Sequence, residues 1–388
     1  MMYTYAVPSE RQIDVNESLK NITDCLKEYN IHSSVKTSQN GLVASVDLSN
    51  NKGEYLTTGV GKGPWSVVGA YYKALEQILL QYQFISSDTS VQSLRHWLLS
   101  EERHCACLFG NILTEYDDGP LKYSRYYSLT NTHTYLIPEV LVNPYHAEPL
   151  IKTDAFQFLK TYSSSSGWAS GSTFEEAILH GANELVEKHH MSELYKQYIS
   201  HSQYTGSFYR VLIPLAILEK NPLSTIDLDQ VTVIMSATEL GSYFCACILE
   251  SDISPMTLRS SGVSYSKYHA IERAWFELVQ TVEFFSPIKH EKDTQSANFL
   301  NSVEKLSRLV KFSHFSDLPI RDLTALRPDL HSFYYHYKKL NLAINETRSS
   351  LLFRTAFQTK NIWFVSVYIP GLERFNIIDK GKWVIPLR

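Results

Sequence analysis

Residues 167–190 constrain the fold of this chain more strongly than any other stretch of its sequence. The stretch contains Gly167 and Gly171, and because glycine has no Cβ, the backbone there can adopt conformations that other residues resist. Thr173 and Glu176 follow in the S/T-x-x-E spacing of a capping box, which satisfies free N–H groups at the start of a helix. The pattern therefore predicts a glycine segment that leads into a helix.

The predicted helix has two different faces, because residues that recur at helical spacing lie on the same side. One face is apolar and suited to packing, and the other is an acidic stripe. A carboxylate stripe is commonly a solvated face. The alternative is a site for a hard cation such as Mg²⁺, which prefers carboxylate and amide oxygens and often bridges to phosphate. The packing face contains Phe174, Ile178, Gly181 and Leu185, and the stripe contains Glu176, His180, Glu184 and Glu187, with Asn183 beside them.

The composition excludes several classes of protein. The chain has 388 residues, 44% of them hydrophobic, which suffices for one large domain or roughly two to three small ones. Its net charge of −4 and thinly spread basic residues predict no binding to nucleic acid. The first residues lack a signal-peptide layout, and no apolar run approaches the roughly 18 residues of a membrane span. We therefore expect a cytoplasmic protein that does not bind membranes.

The five cysteines leave two alternatives open. Two Cys-Ala-Cys pairs lie in strand-like apolar runs, where alternate residues share a face, so the two pairs could together form a zinc site. Buried, reduced thiols are the alternative, and they suit a cytoplasmic chain. The cysteines are Cys25, Cys105, Cys107, Cys245 and Cys247.

A second glycine segment lies between a strand predicted to begin at Glu54 and a helix predicted for residues 67–82. Gly59, Gly61 and Gly63 are predicted to form a turn, and such a turn can bring phosphate to the N–H groups of a helix start. The spacing is G-x-G-x-G, which differs from the G-x-G-x-x-G of dinucleotide-binding proteins. A dinucleotide site and an ordinary core helix are both alternatives for this segment.

The rest of the chain alternates between helical and strand-like patterns, which predicts a mixed α/β (α+β) fold. A last strand is predicted to begin at residue 365 and to end in a Pro370-Gly371 turn. Helices are predicted for residues 15–29, 91–99 and 265–285, and strands for residues 31–36, 42–48, 106–113, 134–138, 211–215, 231–235 and 243–249.

The helix predicted for residues 265–285 follows the segment 259–262, which is predicted to be a turn. Arg273, Glu277 and Gln280 share one face of this helix, opposite an alanine-rich packing face. Because Arg273 and Glu277 are four residues apart, an exposed ion pair within the helix is the simplest explanation of their spacing.

The central stretch closely resembles the signature N-G-x-A-x-G-x4-E-A-x6-E-x-x-E-R-D of the YcaO family. Three positions differ, since Ser166 stands for the asparagine, Lys188 for the arginine and His189 for the aspartate. The matching residues are Gly167, Ala169, Gly171, Glu176, Ala177, Glu184 and Glu187.

Three other segments are similar to further YcaO signatures. Residues 61–63 match a G-K-G that precedes a helix bearing E-x-x-E-R, with Glu76 at the first glutamate; the second glutamate is missing in either alignment of this helix. One carboxylate fewer weakens metal binding. Residues 270–280 match R-A-x-x-E-x-x-Q, and residues 370–373 match P-G-L-E. The family's proline-rich tail, whose terminal carboxylate reaches the active site, is represented only by Pro386.

The resemblance implies a YcaO fold in which two related halves hold a nucleotide site between the signature helices. We expect a single domain over residues 1–388. Its N-terminal half, residues 1–150, holds the first helix, a hairpin and the weakened first signature. Its C-terminal half, residues 151–388, holds the other signatures and the tail.

The resemblance also implies an ATP- and Mg²⁺-dependent peptide cyclodehydratase. Family members phosphorylate a backbone amide oxygen of a ribosomally made precursor peptide, and a Cys, Ser or Thr side chain then closes an azoline ring; other members make thioamides. The alternative is a subunit with a depleted nucleotide site that acts in assembly or peptide presentation. We expect a precursor peptide as substrate and a separate leader-binding protein, with a flavin dehydrogenase as a further candidate partner.

The resemblance assigns roles to individual residues, and the roles suit phosphoryl transfer, which depends on positioning and electrostatic stabilisation. The α-carboxylate of Arg388 is the candidate catalytic group. The candidate metal ligands are Glu184, Glu187 and Glu277, and the other candidate nucleotide-binding residues are Lys62, Glu76, Asn183, Lys188, Arg273 and Gln280.

Overall fold

The computed structural model describes residues 10–81, 88–100, 105, 110–145, 149, 151–200, 207–220, 226–312, 315–329, 331–347 and 349–373. In these residues the chain forms three β-sheets that are covered by helices, so the predicted mixed α/β class is confirmed. No helix of this part of the chain is both long enough and apolar enough to cross a membrane.

The N-terminal sheet is an antiparallel meander with the strand order β1-β2-β3. Asp14 caps the first helix, because its carboxylate accepts the N–H groups of Asn16 and Glu17. Ile22 and Leu26 of that helix pack with the sheet into a common core. The elements are α1 (Val15–Glu28), β1 (His32–Thr37), β2 (Val43–Ser49), β3 (Tyr55–Lys62) and α2 (Ser66–Gln81).

The second sheet has six strands in the order β4-β5-β13-β14-β7, with β6 paired to β5. It combines strands from the middle and the end of the chain, because β14 pairs with both β13 and β7. Its strands are β4 (Thr89–Ser93), β5 (Pro120–Ser128), β6 (Thr134–Pro138), β7 (Trp168–Gly171), β13 (Leu352–Gln358) and β14 (Trp363–Tyr368), and the helices between them are α3 (Leu94–Leu99), α4 (Gly110–Leu113), α5 (Glu139–Val142) and α6 (Asp154–Thr161).

The third sheet has the order β11-β10-β9-β8-β12. The long helix α7 contacts β7 and β14 of the second sheet and also β10 and β11 of the third, so it joins the two layers. The elements are α7 (Phe174–Ser200), β8 (Tyr209–Val211), α8 (Leu215–Lys220), β9 (Val231–Ala237), β10 (Tyr243–Leu249), β11 (Leu258–Ser264), α9 (Lys267–Glu283), α10 (Pro287–Asn301), α11 (Glu304–Ser307), β12 (Ile320–Arg321) and α12 (Phe333–Glu346).

The predicted glycine turn is confirmed only at Gly63, which has a φ of 76° and begins the turn into α2, whereas Gly59 and Gly61 lie inside β3. A Cβ on Gly59 would collide with backbone atoms of Ala70 and Ala74, and a Cβ on Gly61 would collide with those of Ser66 and Ala70. These glycines therefore let α2 lie directly on the strand. The dinucleotide alternative loses two of the three glycines of its predicted turn.

Several predicted boundaries also differ from the structure. The segment 91–99 begins with β4 before α3, because Ser93 ends the strand and its hydroxyl accepts the N–H of His96. The segment 211–215 ends one strand and begins a helix, and the predicted turn 259–262 lies inside β11. Of the strand predicted for 106–113, residues 106–109 lie outside the described residues and Gly110–Leu113 is helical. In short segments, contacts with neighbouring elements decide the secondary structure more than the intrinsic propensity of the residues does.

The cysteines that the structure describes are buried thiols. Cys245 and Cys247 share one face of β10, whereas Cys105 belongs to a different core cluster and does not lie beside them. Burial raises the pKa of Cys25 to about 11 and raises that of Cys245 as well. Cys107 lies outside the described residues.

Gly61→Ala tests the close packing of α2 on β3. We expect a loss of about 3 kcal/mol or more in the free energy of unfolding, because the new methyl group meets backbone that cannot rotate away. Urea denaturation measures the loss. Gly110→Ala is the matched control, because a Cβ there meets no atom within 4 Å. A loss below about 0.5 kcal/mol for Gly61→Ala, the usual range for surface changes, would contradict the packing argument.

Candidate functional site

A cavity of about 1060 Å³ lies among β3, α2, α7 and α9. It is much larger than a single side chain, and both acidic and basic groups line it. The N-terminal residues Glu10 and Arg11 contribute to its wall. Eight of the residues assigned from the sequence line this one cavity, namely Lys62, Glu76, Glu184, Glu187, Lys188, Arg273, Glu277 and Gln280.

The acidic stripe of α7 is not a solvated face. Glu176 is 0% exposed and Glu187 is 6% exposed. Glu187 accepts a hydrogen bond from the Ser261 hydroxyl of β11 at 2.8 Å, which fixes one of its oxygens. Glu184 lies three residues earlier on the cavity wall. The packing of α7 between two sheets therefore buries carboxylates that a free helix would leave in water.

Glu176 has a structural role. The Thr173 hydroxyl accepts the N–H of Glu176 at 3.2 Å, as the capping box predicts. The Glu176 carboxylate does not return to Thr173; it accepts the N–H of Ser172 at 2.8 Å and the N–H of Gln12 at 2.6 Å. The start of α7 thereby holds the N-terminal segment against the cavity.

Glu10 is a cavity residue that no sequence pattern singles out. It is 1% exposed, and its carboxylate lies 3.4 Å from Arg273 Nη1 and 3.6 Å from His269 Nε2. Asn183 donates its side-chain N–H to Glu10 at 3.3 Å and is not among the cavity-lining residues. Burial alone would raise the pKa of Glu10, but the charges of His269, Arg273 and His336 outweigh it and hold that pKa well below its usual range.

Arg273 and Glu277 do not form the predicted pair within α9. Arg273 binds Glu10, and Glu277 forms an ion pair with Lys62 from the end of β3. Burial opposes ionisation of Glu277, but Lys62 and Lys188 outweigh it and lower its pKa. The pairing partners come from other elements because both side chains point away from the helix into the cavity.

Lys73 is a second residue that the sequence patterns leave unassigned, although it lies on the cavity wall. Its Nζ lies 2.7 Å from Glu76 Oε2 and 3.9 Å from Glu184 Oε2. Burial would lower the pKa of Lys73, but the two carboxylates outweigh it and raise that pKa above its usual range. The only sequence signal that could have identified Lys73 is its spacing of three residues from Glu76, which allows an ion pair within a helix.

The donor set fits a hard cation and a phosphate chain. Glu184, Glu187 and Glu277 offer the carboxylate oxygens that Mg²⁺ prefers, and lysine and arginine side chains face them. Burial raises the pKa of Glu184, and the nearby Glu76 and Glu187 add to the rise, against the opposing charges of Lys73 and Lys188. A further positive charge beside Glu184 would therefore stabilise its ionised form.

His189, His190 and Glu239 offer ligand atoms within 4.8 Å of one another, on α7 and near β9. His189 Nδ1 accepts the backbone N–H of Glu373 at 3.1 Å, so the neutral ring carries its proton on Nε2 and neither nitrogen has a lone pair to give to a metal. His190 bonds Glu239 at 3.0 Å and lowers the pKa of that carboxyl to about 2. This cluster is a hydrogen-bonded network.

The Glu10–His269 contact predicts a pH-dependent stability. Burial would lower the pKa of His269, but Glu10 and Glu272 outweigh it and raise that pKa from 6.5 to about 9, with Arg273 and His336 nearby. A raised pKa stabilises the fold fully below pH 6.5, and the effect is lost as the pH rises through 9. We expect a loss on the order of 3 kcal/mol over this range, at about 1.4 kcal/mol per pKa unit.

Urea denaturation at several pH values measures this loss. His269→Gln should flatten the pH dependence, because the titrating group is gone. His32→Gln, at an exposed position of β1, should leave it unchanged. An equal pH dependence in the parent chain and in His269→Gln would contradict the prediction.

Comparison with known proteins relates this geometry to a family. Residues 66–373 match the model of the family described as YcaO cyclodehydratase, ATP- and Mg²⁺-binding. A comparison with curated protein sequences found no match. The matched segment includes α2, α7 and α9, which carry most of the cavity wall.

Solved structures share the fold at low sequence identity. YcaO from Methanopyrus kandleri, bound with AMPPCP and Mg²⁺, has a TM-score of 0.62 at 14% identity, and the match covers 98% of this chain and 96% of that one. A heterocyclase in complex with substrate and cofactor has a TM-score of 0.64 at 16% identity over 96% of this chain, which spans 54% of the heterocyclase. The E. coli microcin synthetase McbBCD complex has a TM-score of 0.55 at 12% identity, with 88% of each chain covered.

Arg388 lies outside the described residues, so the role of its terminal carboxylate stays a prediction. The roles assigned to the other residues also stay predictions. Because the family model covers well over half of the sequence, the chain belongs to the YcaO family, whose cofactors are ATP and Mg²⁺.

Proposed function

We propose that this protein uses ATP to activate a backbone amide oxygen of a ribosomally made precursor peptide, so that a Cys, Ser or Thr side chain closes a thiazoline or oxazoline ring. The observation that carries the proposal is the cavity, where eight signature residues from four elements meet. The membership of this chain in a cyclodehydratase family supports the same reaction class. Thioamide formation, with sulfide in place of the side chain, would use the same activation.

In this proposal Glu184, Glu187 and Glu277 hold Mg²⁺. Lys62, Lys188 and Arg273 contact the phosphates, and Glu76 and Gln280 complete the nucleotide site. Asn183, which does not line the cavity, supports it only through its hydrogen bond to Glu10. Bound MgATP would supply the phosphoryl group that turns the amide oxygen into a leaving group. Lys188 presents a point charge rather than the bidentate fork of arginine, so it orients a phosphate less strictly.

The residues of the chain would act by position and charge. No cavity side chain has to form a bond to the peptide, because the nucleophile is the Cys, Ser or Thr of the substrate. That side chain attacks the amide carbon, and the phosphorylated oxygen leaves as inorganic phosphate. The net change is loss of water from the peptide as ATP becomes ADP and phosphate. Preorganised cations are the main source of rate acceleration in such a site.

We propose two partners in addition to the nucleotide. The first is the precursor peptide, in line with the neighbouring heterocyclase, whose structure holds a substrate. The second is a separate leader-binding protein, with a flavin dehydrogenase as a further candidate. The neighbouring microcin synthetase is a complex of several chains, which supports a multi-protein assembly. We also propose that the Arg388 carboxylate contributes to catalysis.

A non-catalytic role in assembly or peptide presentation is the second candidate function. It is favoured by the ion pairs Lys73–Glu76 and Lys62–Glu277, because these lysines already neutralise two of the carboxylates in the cavity. The absent second glutamate of the first signature points the same way. Nucleotide binding separates the two candidates.

We expect ATP with Mg²⁺ to raise the melting temperature of the chain. A ligand that binds only the folded state stabilises it by about 2.7 kcal/mol at a hundredfold excess over Kd. Glu184→Gln should remove this shift, because it removes a charged metal ligand. Glu175→Gln, on the same helix and outside the cavity lining, is the matched control. A full shift in both Glu184→Gln and Glu187→Gln would exclude α7 as the metal site. No shift in the parent chain with its partner present would favour the assembly role.

The reaction itself is tested by intact mass. A candidate peptide rich in Cys, Ser or Thr is incubated with the chain, its partner protein and MgATP, and a parallel reaction also contains sulfide. Cyclodehydration lowers the peptide mass by about 18 Da per site, and thioamide formation raises it by about 16 Da. An unchanged mass together with normal ATP binding would contradict the proposed chemistry.

A further inference from the structure

Lys73 connects carboxylates from two helices of the cavity. It lies on α2, one turn before Glu76, and its Nζ is 2.7 Å from Glu76 Oε2. The same Nζ is 3.9 Å from Glu184 Oε2 on α7. A positive group between carboxylates of different elements, beside a candidate metal site, has the geometry of a bridging cation.

Glu76 is a fixed partner for this ammonium group. Its side chain is buried, and Oε1 accepts both the backbone N–H of Ser170 at 3.0 Å and the Ser170 hydroxyl at 2.9 Å. Oε2 is therefore turned towards Lys73. An ordinary surface pair at i, i+3 has two mobile partners and is worth little. Here β7 holds the acid in place.

The charges make Lys73 and a divalent ion competitors. A metal between Glu76 and Glu184 would lie close to the Lys73 ammonium and be repelled by it. The ammonium donates one hydrogen bond, to Glu76, and lies 3.9 Å from Glu184, so its other N–H groups stay available for a phosphate oxygen. Glu187 and Glu277 line the same cavity; one oxygen of each is bonded, to Ser261 and to Lys62, which leaves the second oxygen of each for a metal.

We propose that the Lys73 ammonium group takes the place of one divalent cation between Glu76 and Glu184, so that this chain binds its nucleotide with one metal ion fewer than its carboxylates would otherwise hold. The inference rests on the proposed nucleotide function. It assigns Lys73 as a binding residue, in which a fixed side chain replaces an exchangeable ion.

The test counts bound Mn²⁺, which favours the same oxygen ligands as Mg²⁺. Equilibrium dialysis with electron paramagnetic resonance gives Mn²⁺ per chain, with and without AMPPCP. In Lys73→Met the count should rise by about one ion per chain, because Glu76 and Glu184 lose their cation. Lys73→Arg keeps the charge and should match the parent chain. Lys52→Met, at an exposed turn outside the cavity lining, is the control.

Each outcome decides the proposal. Equal Mn²⁺ counts in the parent chain and Lys73→Met overturn it, and so does a failure of both to bind Mn²⁺. If AMPPCP binds both chains with equal counts, only the role of Lys73 falls. If the counts differ by one ion but AMPPCP binds neither chain, the role of Lys73 stands and the proposed function falls. Lys73→Gln serves the same comparison if the methionine variant does not fold.

Discussion

Charge compensation inside one cavity is the interaction on which this structure depends. Glu10 and Glu76 are buried and Glu277 is partly buried, and each faces a cation. Arg273 and His269 of α9 face Glu10, Lys62 of β3 faces Glu277, and Lys73 faces Glu76 of its own helix and lies 3.9 Å from Glu184 of α7. Removing one member would leave an uncompensated buried charge, which is far more costly than the pair is stabilising. The pairs therefore hold the N-terminal segment, β3, α2, α7 and α9 in a single arrangement.

Close packing of helices on strands makes that arrangement possible. Gly59 and Gly61 let α2 lie on β3, and Gly262 of β11 does the same for α9, since a Cβ there would meet the backbone of Ala270 and Ala274. In both units the helix packs its alanines against a strand that contains glycine. Acidic and basic residues of the same helix line the cavity. The two strand–helix units contain three of the four elements around the cavity, namely β3, α2 and α9.

The family match and the details of the cavity carry different information. The match assigns ATP, Mg²⁺ and the fold. The cavity adds Lys73 between the carboxylates and Glu10 against Arg273, in a site that lacks one signature glutamate. A site of this kind exchanges mobile cations for fixed side chains, which reduces metal binding while preserving the positive charge that phosphate requires. A nucleotide site that binds one metal ion fewer, as proposed above, accounts for both the family match and the details of the cavity.

Local patterns in the sequence determined the elements that carry the site. The capping box at Thr173, the helical spacing of α7 and α9 and the signature residues all depend on neighbours a few positions away, so they were readable without coordinates. Tertiary structure alone decided that Gly59 and Gly61 lie inside a strand, that Asn183 binds Glu10 and that Arg273 leaves Glu277 for a different partner. These outcomes depend on contacts between residues far apart in the chain, which no spacing rule encodes. They also depend on burial, which excluded the solvated-face alternative for the carboxylates of α7.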